Sequence, residues 1–366
     1  MKILHIETGL RLYGGALQVR YLIEGLQGRG IRNILICSKG SAIAKYFKNN
    51  EYVDVQEVAY IGDVDPRLLG AILSVIGKRR PNLFHVHSRR GADLWGAIAA
   101  RLVRTPSIVT RRVDNPESRL ATKLKYRSFD KVITISEGIK RVLISQGVPE
   151  CHIECVRSAI DVSEYGKKCR KKWFRSEFGL PKECLIIGMV AQFIARKGHK
   201  YMLKAFEEIH EEYPNTFLIF FGRGPLETEV KSQVAQKGLM NKVLFAGFRK
   251  DIANLLPCLD ILVHPALMEG LGVSLIQAAA SGVPIVATKV GGIPEIVRHN
   301  KNGLLVPPKE SGRLAKALRR LLSDNRLRSR LGIGGRSLVQ EEFSIDTMVE
   351  GNLRIYKQLL GQKVAP

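Results

Sequence analysis

A carboxylate, two glycines and a neutral amide stand close together in MEGLGVSLIQAAASGVPIVAT, residues 268–288. Gly270 and Gly272 let the backbone pass close to a ligand, and a helix that begins there presents backbone amides and the positive end of its dipole. This arrangement predicts a phosphate site. Glu269 would be repelled by a phosphate but can accept hydrogen bonds from sugar hydroxyls. Gln277 projects from the second turn of the helix, about 7 Å further along, which is the span of one sugar ring.

Two further loops rich in glycine or cations follow predicted strands in the same half of the chain. They are RKGH at 196–199 and GRGP at 222–225. Arg196 or Lys197 can neutralise a diphosphate. Because the carboxyl ends of parallel strands form one ligand crevice, the three loops together predict one anion site. Taken alone, Glu-Gly-x-Gly is more typical of an ordinary surface loop followed by a polar helix face, and the other two loops favour the ligand site.

The charge of the chain points to an anionic neighbour. Its 366 residues include 58 Lys and Arg against 34 Asp and Glu, a formal net charge of +24. The excess predicts a phosphorylated substrate, an anionic membrane surface or a nucleic acid as partner. No zinc finger or aromatic-rich basic run is present, so no nucleic acid is expected.

Basic clusters of the first half favour a phosphorylated glycolipid or acidic lipid headgroups, with a solvated basic surface as the alternative. The clusters lie at 78–80, 89–90 and 111–112 and at Lys123, Lys125 and Arg127. No stretch reaches about 18 uninterrupted apolar residues, and Glu7 ends the first apolar run too early for a secretory signal. We therefore expect a cytoplasmic protein, with peripheral contact to the inner face of the cytoplasmic membrane as a further option.

Metal binding is not expected. Cys151, His152 and Cys155 lack the second ligand pair of a zinc site, so the six scattered cysteines are interpreted as reduced packing thiols. Asp63 and Asp65 form a D-V-D sequence, but they precede Pro66 in a predicted loop far in sequence from the phosphate loops. Fixed cations and helix amides can stabilise a leaving diphosphate without a metal.

Strands and helices alternate along both halves of the chain. The predicted strands are KILHIE, NLFHVHS, PSIVT and KVITIS in the first half and LIIGMVA, TFLIFFG, KVLFAG, DILVHP and PIVAT in the second. Such alternation is typical of an α/β fold with doubly wound parallel sheets. We expect a Rossmann-like domain over 1–165, a basic linker over 166–182, a second Rossmann-like domain over 183–345 and a last helix over 346–366. Two such sheets can face each other across a central cleft, which suits a bisubstrate site.

Combined motifs of the second half resemble a known family. The runs are IGMVAQFIARKGHKYMLKAF, LIFFGRGPLETEV, the stretch from VLFAGFRKD to GGIPEIV, and NGLLVPP. Together they resemble the family 4 retaining glycosyltransferases (glycosyl transferases group 1) of the GT-B fold, over nearly the whole chain and most strongly over 185–310. The resemblance implies that the second domain binds a nucleotide diphosphate sugar, such as a UDP-sugar or GDP-sugar. It also implies that the first domain binds the acceptor and that the last helix crosses back over the first domain. We expect no metal or other cofactor.

The resemblance carries over to individual residues of the second domain. Glu269 matches the first glutamate of the family's E-x7-E motif, which binds hydroxyls of the transferred sugar. Lys197 matches the phosphate-binding lysine, and Arg196 beside it completes the predicted catalytic group. The resemblance also implies which residues bind the donor. Gly14 and Gly15 match a glycine loop that closes over the donor. Gly270, Leu271 and Gly272 match the turn that binds the diphosphate, and Gln277 completes the set.

Departures from the family pattern concern the details of donor binding. Gln277 replaces the second glutamate, which usually binds the ribose, so one charge-assisted hydrogen bond is weakened. Gln192 stands where many relatives have an arginine, and Arg112 stands where many have a sugar-contacting histidine. His87, which shares a strand face with His85, resembles a histidine common in the family, and an ordinary hydrogen-bonded histidine is the alternative.

The function predicted is retaining transfer of a sugar from a nucleotide diphosphate sugar to a cell-envelope glycolipid or polysaccharide precursor. A lipopolysaccharide-type acceptor is favoured. There are two alternatives, a catalytically silent nucleotide-sugar-binding protein and a GT-B nucleotide-sugar epimerase. The departures at Gln277, Gln192 and Arg112 favour the first of these. The sequence does not identify the base, the sugar or the linkage.

Overall fold

The computed structural model describes residues 1–87 and 91–362. The chain divides into two compact units, one formed by Met1–Ala159 with Ile345–Pro366 and the other by Ile160–Ser344. Each unit is built on a parallel sheet. This confirms the predicted α/β class and the two Rossmann-like domains.

The first unit contains a seven-stranded parallel sheet in the order β3-β2-β1-β4-β5-β6-β7. Its strands are β1 Lys2–Glu7, β2 Arg32–Ser38, β3 Val53–Val58, β4 Leu83–Val86, β5 Ser107–Arg111, β6 Lys131–Thr134 and β7 Ile153–Cys155. Its helices are α1 Gly15–Gln27, α2 Ala42–Phe47, α3 Arg67–Arg79, α4 Ala92–Leu102, α5 Arg119–Tyr126 and α6 Glu137–Ser145. The central strands β1 and β4 are almost wholly buried because helices cover both faces of the sheet.

The second unit contains a six-stranded sheet in the order β10-β9-β8-β11-β12-β13. Its strands are β8 Leu185–Val190, β9 Thr216–Phe221, β10 Val243–Gly247, β11 Ile261–His264, β12 Ile285–Thr288 and β13 Gly303–Val306. Its helices are α7 Val162–Tyr165, α8 Lys171–Phe178, α9 His199–Glu207, α10 Glu227–Gln236, α11 Ile252–Leu255, α12 Val273–Ala280, α13 Ile293–Ile296, α14 Ser311–Ser323 and α15 Asn325–Glu342. The order steps outward from β8 in both directions, as in a doubly wound sheet.

The last helix, α16 Ile345–Leu359, belongs to the first unit. Its buried face carries Val349, Leu353 and Tyr356, which join the apolar cluster of Leu22 and Leu26 on α1. Arg29, two residues after the end of α1, donates to Glu350 at 2.6 Å. Apolar burial along the whole helix therefore attaches the end of the chain to the first sheet.

Residues 166–182 are not a separate linker, and the first unit ends at Ala159, before the predicted boundary at residue 165. Part of the segment forms α8, where Phe174 is 1% exposed and packs against Phe178 of the same helix with the two rings tilted by 51°. Its cations lie on the outer face of a helix whose aromatic residues face inward. Cys169 forms a disulfide with Cys258, so the prediction that all six cysteines are reduced is wrong for this pair. Sequence spacing concealed the pairing because 89 residues separate the two cysteines.

Two of the predicted surface cations lie in ion pairs away from solvent. Arg111 is 1% exposed and is paired with Glu117. Lys125 donates to Asp93 and Glu117, each at 2.7 Å. Lys125 thereby joins α5 to α4, and Glu117 in the loop before α5 joins Arg111 of β5 to Lys125. Residues 78–80 are exposed as predicted. Arg89 and Arg90 lie outside the described residues.

Within residues 1–87 and 91–362, the structure contains no helix that is long and apolar enough to cross a bilayer.

Candidate functional site

Three loops meet at the carboxyl end of the second sheet. The loop after β8 carries Arg196 and Lys197, the loop after β11 carries Glu269, and the loop after β12 carries Gly292. The Leu267 amide donates to the Arg196 carbonyl oxygen at 2.7 Å, and the Gly292 amide donates to the Glu269 carbonyl oxygen at 3.0 Å. Backbone hydrogen bonds therefore set the positions of the predicted catalytic residues.

Gly198 allows the first two loops to approach each other. Its φ is +76°, and a Cβ built there would lie 2.0 Å from the carbonyl oxygen of Pro265. A side chain would push apart the loops that carry Lys197 and Glu269. Glycine is needed both for the left-handed backbone and for the close contact.

Glu269 is held by two basic side chains. Its Oε2 accepts hydrogen bonds from Lys197 Nζ and from His264 Nε2, the second at 2.8 Å. Glu269 is 9% exposed and His264 is fully buried. The structure thus brings Glu269 and Lys197 together as an ion pair 72 residues apart in sequence.

His264 is a site residue that sequence reasoning missed. It ends β11 within DILVHP, five residues before Glu269. A histidine at the carboxyl end of a central parallel strand is the signal that could have found it, because ligand crevices form there. Burial lowers the pKa of His264, although the hydrogen bond to Glu269 opposes the shift, so His264 is a neutral donor at pH 7.

Glu269 remains ionised over a wide pH range. Burial alone would raise its pKa, but the hydrogen bond from His264 and the charge of Lys197 outweigh burial and bring the pKa to about 2. The group can therefore act only as an acceptor at pH 7. It is suited to orienting hydroxyl donors and not to giving up a proton.

This shift predicts a pH-dependent contribution of Glu269 to stability. A folded-state pKa of about 2, below the ordinary 4.5, means that the contribution is full above about pH 4.5 and is lost as the pH falls toward 2. We expect the difference in free energy of unfolding between wild type and Glu269→Gln to narrow across this window. Urea unfolding at several pH values measures it, and a difference that stays constant would contradict the assignment.

The turn at 270–272 leads into α12 as predicted from the sequence. Gly272 precedes the helix with φ 98°, and Leu271 is buried beneath the turn. The helix has no side-chain cap and no acidic residue in its first turn. Its amide end is therefore compatible with an anion.

Gln277 has a protein partner. Its Nε2 donates to the hydroxyl of Tyr165 on α7 at 2.6 Å. The amide is half-buried in α12, and its Oε1 accepts no hydrogen bond from the described residues. An oxygen acceptor is thus retained where the family pattern has a carboxylate.

The remaining predicted residues are more exposed or lie in the other unit. Arg196 is exposed, two positions from Gly198. Gly14 and Gly15 lie in the first unit, where Gly14 has φ 55° and α1 begins at Gly15. Gln192 is exposed after β8.

A pocket of about 590 Å³ opens beside Gly15 in the first unit. It is lined by Glu7, Gly9, Leu10, Arg11, Tyr13, Gly15, Ala16, His87, Thr110, Arg112 and Val113. Arg112 donates through Nε to the carbonyl oxygen of His87 at 3.3 Å. Burial lowers the pKa of Arg112 to about 10, and Glu7 opposes the shift, so the guanidinium is charged at pH 7. The site therefore presents a cation and a carboxylate to a polar ligand.

Three histidines of this unit come together in the interior. One ring nitrogen from each of His5, His85 and His87 lies within 4.8 Å of the other two. The sequence singled out His85 and His87 but not His5, because the register that pairs β1 with β4 is not visible in the sequence. Asp65 of the D-V-D sequence instead accepts from the Ile61 and Arg67 amides, at 2.7 and 3.0 Å, so its carboxylate stabilises the loop and the start of α3.

Two family models match the chain and together span most of it. The model described as Glycosyl transferases group 1 matches residues 171–338, and the model described as Glycosyltransferase Family 4 matches residues 13–164. The chain therefore belongs to the group 1 glycosyltransferases and is a glycosyltransferase by family. This confirms the resemblance inferred from the motifs.

Curated relatives agree with the family. An uncharacterized glycosyltransferase of Methanocaldococcus jannaschii is 29% identical over 62% of this chain and 60% of its own length. The UDP-Gal:alpha-D-GlcNAc-diphosphoundecaprenol alpha-1,3-galactosyltransferase of Escherichia coli is 23% identical over 71% of each chain. The lipopolysaccharide core biosynthesis glycosyltransferase LpsE of Rhizobium meliloti is 26% identical over 52% of this chain and 53% of its own. The chain thus spans only part of each.

A solved structure shares the whole fold. The HepE protein of Anabaena, solved in complex with UDP, superposes with a TM-score of 0.85 over 98% of this chain and 100% of its own, at 20% identity. This likeness confirms the GT-B fold.

Proposed function

We propose that the protein transfers a sugar from a nucleotide diphosphate sugar, with a uridine nucleotide as the first candidate, to a cell-envelope glycolipid or polysaccharide precursor. The observation that carries the proposal is the Lys197, Glu269 and His264 cluster beside the amide end of α12. A cation and helix amides suit a diphosphate, and an ionised acceptor suits sugar hydroxyls. HepE, of the same fold, was solved with UDP.

The proposed chemistry retains the configuration at the anomeric carbon. The bond from the anomeric carbon to the diphosphate breaks as the acceptor hydroxyl attacks from the same face, and the leaving phosphate takes the hydroxyl proton. No enzyme nucleophile is required. Lys197, Arg196 and the amides at 270–272 stabilise the charge that develops on the diphosphate, and Glu269 orients the sugar.

Thermal unfolding with a panel of nucleotide diphosphates and their sugars tests donor binding. A ligand at a hundredfold its dissociation constant adds about 2.7 kcal/mol to the free energy of unfolding. We expect one nucleotide series to raise the melting temperature by several degrees and Lys197→Ala to abolish the rise. A folded protein that responds to none of them would refute the donor proposal.

Product analysis separates the proposed transferase from the two alternatives. Transfer requires an acceptor and gives a new glycoside. An epimerase converts the nucleotide sugar without any acceptor, and a silent binder gives the thermal shift with neither reaction. The metal-independence that we propose is checked by adding a chelator, which should leave the rate unchanged.

We also propose that the acceptor lies at an anionic membrane and that α4 and α5 contact it. Leu102, Leu120 and Leu124 on these helices are 63, 69 and 52% exposed. Arg101 donates to the Leu124 carbonyl oxygen at 3.3 Å, so apolar and cationic groups share one surface. The single acidic side chain of the two helices, Asp93, is buried against Lys125. Exposed leucines flanked by cations suit the interface of an anionic bilayer.

Vesicle sedimentation tests this surface. We expect binding to vesicles rich in phosphatidylglycerol, weak binding to phosphatidylcholine alone, and a loss of at least about tenfold on Leu120→Asp, because apolar burial is lost and a repelled charge is added. Ile333→Asp is the matched control, since Ile333 is also 69% exposed but lies in the second unit. Equal losses for both variants would contradict the assignment of the surface.

A further inference from the structure

The hydrogen bonds of three buried side chains determine where their hydrogens lie. Asn33 Nδ2 donates to the Ile31 carbonyl oxygen at 2.9 Å, which turns Asn33 Oδ1 toward Nε2 of His5 at 3.1 Å. An amide oxygen only accepts, so neutral His5 carries its hydrogen on Nε2. Its Nδ1 is then bare and lies 3.0 Å from Nε2 of His87. His87 must therefore donate from Nε2.

This arrangement leaves Nδ1 of His87 as a bare acceptor. The atom is buried and has no hydrogen-bond partner among the described residues. His87 itself is 1% exposed and lines the pocket of about 590 Å³ with Gly15, Thr110 and Arg112. An unpaired buried acceptor is unfavourable, so a group that donates to it would be bound.

The neighbouring histidine is fully engaged. Both ring nitrogens of His85 have partners at 2.6 Å, Tyr356 on one side and Thr110 on the other. Of the six ring nitrogens in the cluster, only Nδ1 of His87 is unpaired among the described residues. A metal bound by all three rings would have to break several of these bonds, so we favour a hydrogen-bonding role over metal binding.

We propose that Nδ1 of His87 accepts a hydrogen bond from a sugar hydroxyl in this pocket and that Asn33 and His5 are positioning residues that hold His87 in the accepting tautomer. The identity of the ligand as a sugar rests on the proposed function. The tautomer follows from the hydrogen bonds alone.

Neutral rings are a condition of this mechanism. Burial lowers the pKa of His5 to about 4, although the hydrogen bond to Asn33 opposes the shift. Burial, reinforced by the neighbouring His85, His5 and Arg112 side chains, also lowers the pKa of His87 well below its ordinary value. If His5 were protonated on both nitrogens, the bond to His87 would reverse and Nδ1 of His87 would carry a hydrogen instead of accepting one.

Nuclear magnetic resonance of the full chain labelled with ¹⁵N-histidine tests the tautomer. Two-bond correlations report which ring nitrogen carries the hydrogen, and His5→Gln and His87→Gln assign the signals. We expect the Nε2–H form for both rings in the wild type and its loss in Asn33→Leu, with unfolding curves to verify that each variant folds. A Nδ1–H form of His87, or stoichiometric binding of added Zn²⁺ that removes these signals, would overturn the proposal.

A matched pair of variants tests the contact with the ligand. His87→Gln places its side-chain amide near the position of Nε2 and so keeps the hydrogen bond to His5. His87→Asn instead places its side-chain amide near the position of Nδ1. We expect His87→Gln to raise KM for the sugar substrate by about tenfold or more and His87→Asn to raise it much less. Equal losses would show a structural role only and would refute the contact.

Titration with UDP, UDP-glucose and methyl α-D-glucopyranoside identifies the source of the hydroxyl without any turnover. The Nδ1 resonance of His87 should be unaffected by UDP. A shift with UDP-glucose alone assigns the donor sugar, and a shift with the free glucoside assigns the acceptor side. No shift with either sugar would overturn the ligand assignment. A protein that shifts with the glucoside but binds no nucleotide would retain this inference while the proposed function fails.

Discussion

Lys197→Ala is expected to lower kcat/KM for the donor by about 100-fold or more while the protein stays folded. The ammonium pairs with Glu269 in the structure and is proposed to pair with the diphosphate as charge develops on it. Removing one preorganised charge partner of a transition state typically costs this much. Steady-state kinetics with the donor identified by thermal unfolding measures the loss.

Lys200→Ala is the matched control for this prediction. Lys200 is an exposed cation three residues further along, over the ring of Tyr201 at 5.2 Å. We expect its removal to change kcat/KM by less than about twofold, because an exposed charge is screened by solvent and salt. If both lysine variants retained full activity, the diphosphate site would not be at this loop.

Gly198→Ala is expected to be the most destabilising single change at the site. The new Cβ would lie 2.0 Å from the Pro265 carbonyl oxygen at a φ of +76°. The left-handed backbone costs an alanine about 1–2 kcal/mol, and the clash forces the two loops apart. We expect a loss of about 3 kcal/mol or more in the free energy of unfolding by urea, and a loss of turnover because Lys197 and Glu269 no longer meet.

Gly238→Ala separates the two causes. Gly238 also has a positive φ, +66°, but a Cβ there meets nothing within 4 Å. This variant should lose only about 1 kcal/mol and keep its activity. Similar losses for both glycines would mean that backbone conformation alone, and not the approach of the loops, makes Gly198 necessary.

The corrections to the sequence predictions share one cause. Arg111 and Lys125 were placed in exposed basic clusters, and 166–182 was placed in a linker, because these stretches are basic. Ion pairs take Arg111 and Lys125 away from solvent, and Phe174 anchors the segment 166–182 in the second unit. Charge is a property of the residue, whereas burial depends on what packs against it. The disulfide of Cys169 with Cys258 escaped prediction because its two cysteines are 89 residues apart and meet only in the fold.

The sequence by itself determined the alternation of strands and helices and the turn before α12, because periodicity, turn residues and helix starts depend on neighbours a few positions away. It also singled out Lys197 and Glu269, whose roles remain a proposal. The tertiary structure alone decided that His264 supports Glu269, that Tyr165 binds Gln277 and that Asn33, His5 and His87 form one chain. Most of these contacts join different elements, and even His264 and Glu269, five positions apart, meet only through the path of the loop between them. They depend on strand order, register and loop conformation, which no local pattern encodes.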